Sequence, residues 1–205
     1  MTAPRELYLF RHGQTDWNAE GRLQGHADVP LNAEGRAQAR ALAALLAPHG
    51  LEAVLSSDLS RAWETGLAVA EALGIPIQAD PGLREVHTGR AQGLLAAEIE
   101  TAYGRAFMDQ WFGGMPSDAD LTFPDGESWA AVQARAVAAI RRFCAATPHR
   151  RIGISTHGGV VRQVMALAMP PGSPPVMVPN TVVFRLTLHA DGRLETTGQA
   201  LAPAA

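Results

Sequence analysis

An arginine and a histidine stand side by side at the end of the first apolar run, Leu7-Tyr8-Leu9-Phe10-Arg11-His12. A forked guanidinium matches the oxygens of a phosphate, and an imidazole can give a lone pair or move a proton near neutral pH. Two further segments end in groups of the same kind: Ser56-Ser57-Asp58-Leu59-Ser60-Arg61 and Ser155-Thr156-His157-Gly158-Gly159. Leu83-Arg84-Glu85 adds a carboxylate. Phosphoryl transfer asks for positive charge around the equatorial oxygens, a nucleophile, and a proton for the leaving oxygen. These side chains would meet all three demands if the fold brought them together.

The elements around them have to do that. Leu7 to Phe10 is too short and too rich in β-formers for a helix, so it reads as a strand buried on both faces. Arg11 and His12 then fall at its carboxyl end, where open α/β sheets bind ligands. Glu52 to Ser56 and Arg151 to Thr156 read as further strands, and Gly158-Gly159 suggests an open helix amino terminus close to an anion. Asn32 is the expected N-cap of a helix stopped by Pro48 and Gly50. A second helix, ended by Gly74, puts Leu59, Ala62, Trp63, Gly66, Ala70 and Leu73 on one face. Ile75 to Ala79 reads as an edge strand, and a long helix starting near Asp125 to Ser128 carries the stripe Trp129, Val132, Ala136, Ile140 and Phe143. Thr181 to Leu188 is a strand, and the hairpin signal Asp191-Gly192 predicts a return over Arg193 to Ala200. The fold class expected is three-layer α/β/α: a mostly parallel central sheet, an antiparallel edge hairpin, and a helical lid insertion at about 87–126 of a single domain spanning 1–205.

Taken in order, RHGQTDWN, SSDLSRAWET, LRE and STHGG resemble the histidine phosphatase superfamily, which includes cofactor-dependent phosphoglycerate mutases and many small phosphatases. The resemblance runs from Leu7 to about Leu188. It implies that Arg11, Arg61, His12 and His157 converge on a phosphate, that His12 is the nucleophile giving a phosphohistidine, and that Glu85 protonates the leaving alkoxide and then activates water. Thr15, Asn18 and Gln24 match the family's opening motif as secondary phosphate contacts, although capping a turn would suit Thr15 and Asn18 equally. Gly158 joins them through the helix terminus. The chain departs from the family after the acid: many relatives have aromatics there, whereas this one has Val86-His87-Thr88-Gly89-Arg90. That bears on substrate packing and not on the phosphate pocket. His26, His49, His87, His149 and His189 share no spacing and read as surface or packing residues, with His87 the closest to the acid.

Composition narrows the alternatives. A formal charge of −3 does not suit a general nucleic-acid binder, and Arg supplies all 17 basic side chains, so the lysine of a Walker-type site is missing. A single cysteine, Cys144, excludes an internal disulfide and a multi-cysteine metal site. No metal and no cofactor are expected, because arginines and histidines supply the charge that ions provide elsewhere. No apolar run reaches the roughly 20 residues of a membrane span. A cytoplasmic enzyme follows as the expectation, with a small phosphorylated substrate as partner, no nucleic acid, no membrane, and a homodimer left open. Gly153-Ile154-Ser155-Thr156-His157 approaches the GxSxG elbow of serine esterases, but His189 precedes Asp191, the reverse of the order such enzymes need. Between hydrolase and mutase, the insertion decides for a hydrolase: Glu98, Glu100, Asp109, Asp118, Asp120 and Asp125 against Arg90 and Arg105 would repel a doubly phosphorylated ligand. Esters with uncharged alcohol portions are the expected substrates.

Overall fold

The computed structural model describes residues 4–113 and 120–201. Strand β1 (Arg5–Arg11) lies inside the sheet, and its Leu7–Phe10 core is buried throughout. Successive side chains of a strand point to opposite faces, so Leu7 and Leu9 enter one apolar cluster and Tyr8 and Phe10 the other. The sheet order is β3-β2-β4-β1-β5-β6, with β2 (Ala53–Ser56), β3 (Ile77–Ala79), β4 (Arg151–Thr156), β5 (Val183–Leu188) and β6 (Leu194–Glu195). The pairs β3·β2, β2·β4 and β4·β1 are parallel; β5 runs antiparallel to β1, and β6 antiparallel to β5. This is the mostly parallel sheet with an antiparallel edge that the sequence predicts. Because β1 pairs with β4 in the register Arg11↔Thr156, the next residues, His12 and His157, leave the sheet side by side.

One face is covered by α2 (Ala33–Leu46) and α3 (Ser60–Leu73), which share a cluster with Tyr8, Phe10 and Val54. Asn32 caps α2 by accepting from the Gly35 N–H at 2.8 Å. The other face is covered by α6 (Trp129–Ala146), capped by Ser128, and α7 (Gly158–Ala168). The buried face of α3 differs from the expected stripe. Arg61, Ala62, Thr65, Gly66, Val69 and Ala70 are buried, while Trp63 and Leu73 are only half-buried. The helix turns a polar pair inward because its first turn feeds the site, and apolar periodicity could not reveal that.

The insertion contributes α4 (Ala96–Tyr103) and α5 (Arg105–Gly113). Its Ile99, Trp111 and Phe123 belong to the same cluster as the sheet and α6. Tyr103, Phe107, Trp111 and Phe123 pack ring on ring with centroids 4.7 to 5.6 Å apart. The return strand is shorter than predicted. Beyond Glu195, Thr196 donates its N–H to Ala168 at 3.1 Å and its hydroxyl to Arg185 at 2.7 Å. These bonds draw the chain out of the ladder, and Gly198 turns it with φ 77°. Among the described residues no helix is long and apolar enough to cross a membrane.

Candidate active site

His12 is buried, and its Nδ1 lies 2.6 Å from the carbonyl oxygen of Gly13. A carbonyl only accepts, so Nδ1 carries the ring hydrogen and Nε2 keeps the lone pair. The backbone around the ring is fixed from several sides. The His12 N–H bonds Thr156 at 2.9 Å, the Gly13 N–H bonds the Thr65 hydroxyl at 3.0 Å, and the Asn180 amide donates to the His12 carbonyl at 2.9 Å. Burial, then the charges of Arg11 and Arg61, hold the His12 imidazole well below its usual pKa, so the ring is neutral.

Both arginines are anchored by their terminal nitrogens to backbone. Arg11 donates to Val178 at 2.8 Å; Arg61 donates to Ala27 at 2.7 Å and Gly25 at 2.9 Å. Each leaves its Nε buried without a partner among the described residues. Burial lowers Arg61 to about 10, which leaves it charged at neutral pH. His157 is fully buried, its ring centroid 5.2 Å from that of His12, with Nε2 2.8 Å from the Ser57 hydroxyl. When Ser57 donates to Nε2, the ring hydrogen sits on Nδ1, which among the described residues is also buried without a partner. Three unpartnered nitrogens around one histidine form a donor set for an oxyanion.

Arg11, His12, Arg61, Glu85, Asn18, Gln24 and Gly158 all line one cavity of about 240 Å³. His157 is not among the lining residues, although its ring packs against that of His12. Thr15 is fully buried in the wall as the N-cap of α1 (Asp16–Glu20), where it forms a capping box with Asn18 and donates to Gln24 Oε1 at 3.1 Å. Its hydroxyl is thus committed to capping and to orienting the amides. With the carbonyl oxygens of Asn18 and Gln24 tied to Thr15, their NH₂ groups are the ends available to a ligand. Gly158 opens α7, but the N–H that meets an acid is the next one: Gly159 donates to both Glu85 oxygens, at 3.1 and 3.2 Å. A Cβ on Gly159 would fall on that carboxylate and on the Trp129 ring, so only glycine allows the approach.

Sequence reasoning missed the device that holds Glu85. Arg135 of α6 donates to the carbonyls of Gly82, Arg84 and Glu85 at 2.6 to 2.8 Å and forms a two-point ion pair with Glu127. His26 also reaches the Glu85 carbonyl, at 2.6 Å, and stacks edge-on with His87 at 5.0 Å. His87 itself bonds the Asp125 carbonyl and lies outside the cavity lining. The aromatics absent beside the acid are replaced by Trp111 and Phe112 of α5 and Trp129 of α6, which line the cavity.

The lid's charge is not where counting placed it. Glu98 caps α4, Glu100 and Asp109 pair with Arg105, and Asp125 pairs with Arg90. Asp120 is exposed, and Asp118 lies outside the described residues. None of the five described acids lines the cavity, whose charged residues among the described ones are Arg11, Arg22, Arg61, Arg162 and Glu85. The expectation of an acid-repelling, anion-excluding lid loses its basis. The esterase reading fails on geometry: the Ser155 hydroxyl is buried and donates to Ala62 at 2.7 Å, against α3. Burial pushes the Cys144 thiol up to about 11, which leaves it inert as a nucleophile.

A family model described as the histidine phosphatase superfamily (branch 1) matches residues 7–198. The chain belongs to this superfamily. It is 37% identical over 185 residues to phosphoglycerate mutase-like protein 4 of Arabidopsis thaliana, covering 88% of this chain and 79% of that one. It is 38% identical over 165 residues to a metal-independent phosphoserine phosphatase of the same plant, covering 78% and 66%. A solved mycobacterial glucosyl-3-phosphoglycerate phosphatase in complex with VO3 superposes with a TM-score of 0.82 at 30% identity, over 94% of this chain and 97% of that one. The histidine phosphatase fold expected from the motifs is the fold observed. Among the described residues, no three His, Cys, Asp or Glu side chains are grouped as a metal site requires.

The two buried histidines give the fold a pH signature. Burial is the first cause that lowers both, and neighbouring arginines add to it. Both rings stay neutral when folded, whereas in the unfolded chain they begin to charge at about pH 6.5. The unfolded state then binds more protons, so the stability is fully present above that pH and is lost as pH falls toward the depressed folded values. With two rings the slope approaches roughly 2 to 3 kcal/mol per pH unit. Urea unfolding at a series of pH values below neutrality measures it, and His12→Ala should remove about half of the slope. A profile that stays flat below pH ~6.5 would contradict the assignment.

Proposed function

We propose that the protein is a phosphomonoester hydrolase that acts through a phosphohistidine on a small phosphorylated metabolite. The observation that carries this reading is the convergence of unpartnered buried nitrogens of Arg11, Arg61 and His157 around a neutral His12. In the first step the Nε2 lone pair of His12 forms a bond to phosphorus while the ester P–O bond breaks, and Glu85 gives its proton to the departing alkoxide. In the second, Glu85 takes a proton from water, the water oxygen bonds to phosphorus, and the N–P bond breaks, returning His12 to its neutral form. Arg11, Arg61, His157 and the amides of Asn18 and Gln24 neutralise the equatorial oxygens throughout.

Relatives named as phosphatases support hydrolysis, and the mutase-like relative keeps the mutase as the second reading. Within this proposal the enzyme works in the cytoplasm on a small molecule, with no nucleic acid or membrane partner. A panel of phosphomonoesters assayed for phosphate release with a chelator present tests it, and activity should persist. Activity that vanishes with the chelator and returns with magnesium or zinc would refute the metal-independent mechanism. In a second assay, 3-phosphoglycerate is given a catalytic amount of its 2,3-bisphosphate. Formation of 2-phosphoglycerate faster than phosphate release from any ester would make the protein a mutase.

A further inference from the structure

Four arginines line the cavity, and three are accounted for. Arg11 and Arg61 are anchored at the phosphate end; Arg22 is held by Glu20 at 2.6 Å and by the Gly93 carbonyl at 3.0 Å. The fourth, Arg162, is half-buried on α7 and makes no hydrogen bond or ion pair among the described residues. It follows Gly158 by four positions, so it lies on the same helix face, about 6 Å further along the axis from the end that meets the phosphate. The charges that bear on His12 are those of Arg11 and Arg61, whereas Arg162 bears on Arg11. Arg162 thus lines the same cavity a helical turn away from Gly158, where it can meet the alcohol portion of an ester whose phosphate is held by Arg11 and Arg61.

Ile99, Trp111, Phe112 and Trp129 line the same cavity. Both indole N–H groups are buried and unpartnered among the described residues. Such a wall suits a short carbon skeleton carrying hydrogen-bond acceptors. Arg162 also borders an apolar cavity made by Met165, Leu167, Met169 and the Pro170–Pro175 loop, which among the described residues offers a guanidinium no counter-charge. We infer that Arg162 binds a carboxylate on the alcohol portion of the substrate, so that the esters hydrolysed are those of small phosphorylated acids. A planar carboxylate accepts two parallel bonds from one guanidinium, and one spare positive charge balances one carboxylate. A second phosphoryl group would bring more charge than one guanidinium can balance, and bisphosphates should remain poor substrates. The expectation of uncharged alcohol portions is thereby reversed.

The inference rests on the phosphatase reading, and the test separates the two. 3-Phosphoglycerate and glycerol 3-phosphate differ by a carboxylate in place of a hydroxymethyl group and can be compared by phosphate release without added bisphosphate. The native enzyme should favour the acid by about 10- to 100-fold in kcat/KM, mainly through KM, the size of one charged hydrogen-bonded pair. Arg162→Gln should bring that ratio close to one, and Arg162→Lys should restore part of it. A native ratio at or below one overturns the inference, and so does an Arg162→Gln variant that slows both esters equally and keeps the ratio. Should the native enzyme release phosphate from no ester at all, p-nitrophenyl phosphate included, the phosphatase reading itself falls.

Discussion

Replacing His12 with alanine is expected to lower kcat/KM for every phosphomonoester by about 10⁴-fold or more, because the variant removes the atom to which phosphorus is transferred. Other groups in the pocket cannot take over. His157 has its Nε2 on Ser57, and Ser155 points its hydroxyl into α3. The anion site should survive, since Arg11 and Arg61 are anchored to backbone carbonyls and not to His12. His12→Ala should therefore still bind inorganic phosphate or vanadate while failing to turn over. Ser155→Ala, by contrast, should keep most of the activity. Rapid quenching of the native enzyme with labelled substrate should trap a phosphoenzyme that is labile in acid and survives alkali, as a phosphoramidate does. A trapped species with the opposite stabilities, or a Ser155 change more damaging than the His12 change, would assign the nucleophile elsewhere.

Glu85→Gln is the second large effect. General acid catalysis is worth about 10²- to 10⁴-fold, and loss of the carboxyl proton should cost alkyl phosphates that much in kcat. The amide keeps an oxygen to accept the Gly159 N–H, and the Glu85 backbone remains held by Arg135 and His26, so the loop should not move. Aryl phosphates, whose leaving groups depart without much protonation, should lose far less. The ratio between the two substrate types is the informative quantity. If both fall by the same factor, Glu85 acts on the phosphate or on the α7 terminus and gives no proton to the leaving group.

Much of this site was legible before the fold was known, because its residues sit where short apolar runs stop. Arg11-His12, Arg61 and His157 each follow a strand, and strand ends are readable from composition and length. Asn32 was legible as a cap for the same local reason. What could not be read depended on the third dimension. The inward face of α3 does hold Leu59, Ala62, Gly66 and Ala70 of the expected stripe, but it also holds Arg61 and Thr65, which apolar periodicity could not show, and leaves Trp63 and Leu73 at its edge. The acids of the insertion were counted correctly, but where they lie was not readable: the Arg90–Asp125 pair is a tertiary fact, and none of the described acids reaches the cavity lining. Arg135 and Glu127 lie 50 and 42 positions from Glu85 in sequence, and nothing local marks them as its support. Arg162 did carry a signal: a cation one helical turn beyond Gly158 faces whatever Gly158 faces.

The strand order has a consequence in time. β4 is the last parallel strand in sequence, yet it lies between β1 and β2, which do not pair with each other. A nascent chain that has reached residue 150 thus carries two strands whose inner edges are still open, with His12 on one of them. At ribosomal speeds of about 5 to 20 residues per second, the 145 residues between His12 and His157 take roughly 7 to 30 s to appear. During that interval helices α2 and α3 can form and dock locally, but the pocket has only one of its two histidines and no α7 terminus to hold Glu85. Long-range parallel pairing of this kind is also the slow part of folding. The site cannot be complete before β4 has been made and inserted, and an amino-terminal fragment that stops short of Arg151 would expose sticky edges without any catalysis to show for them.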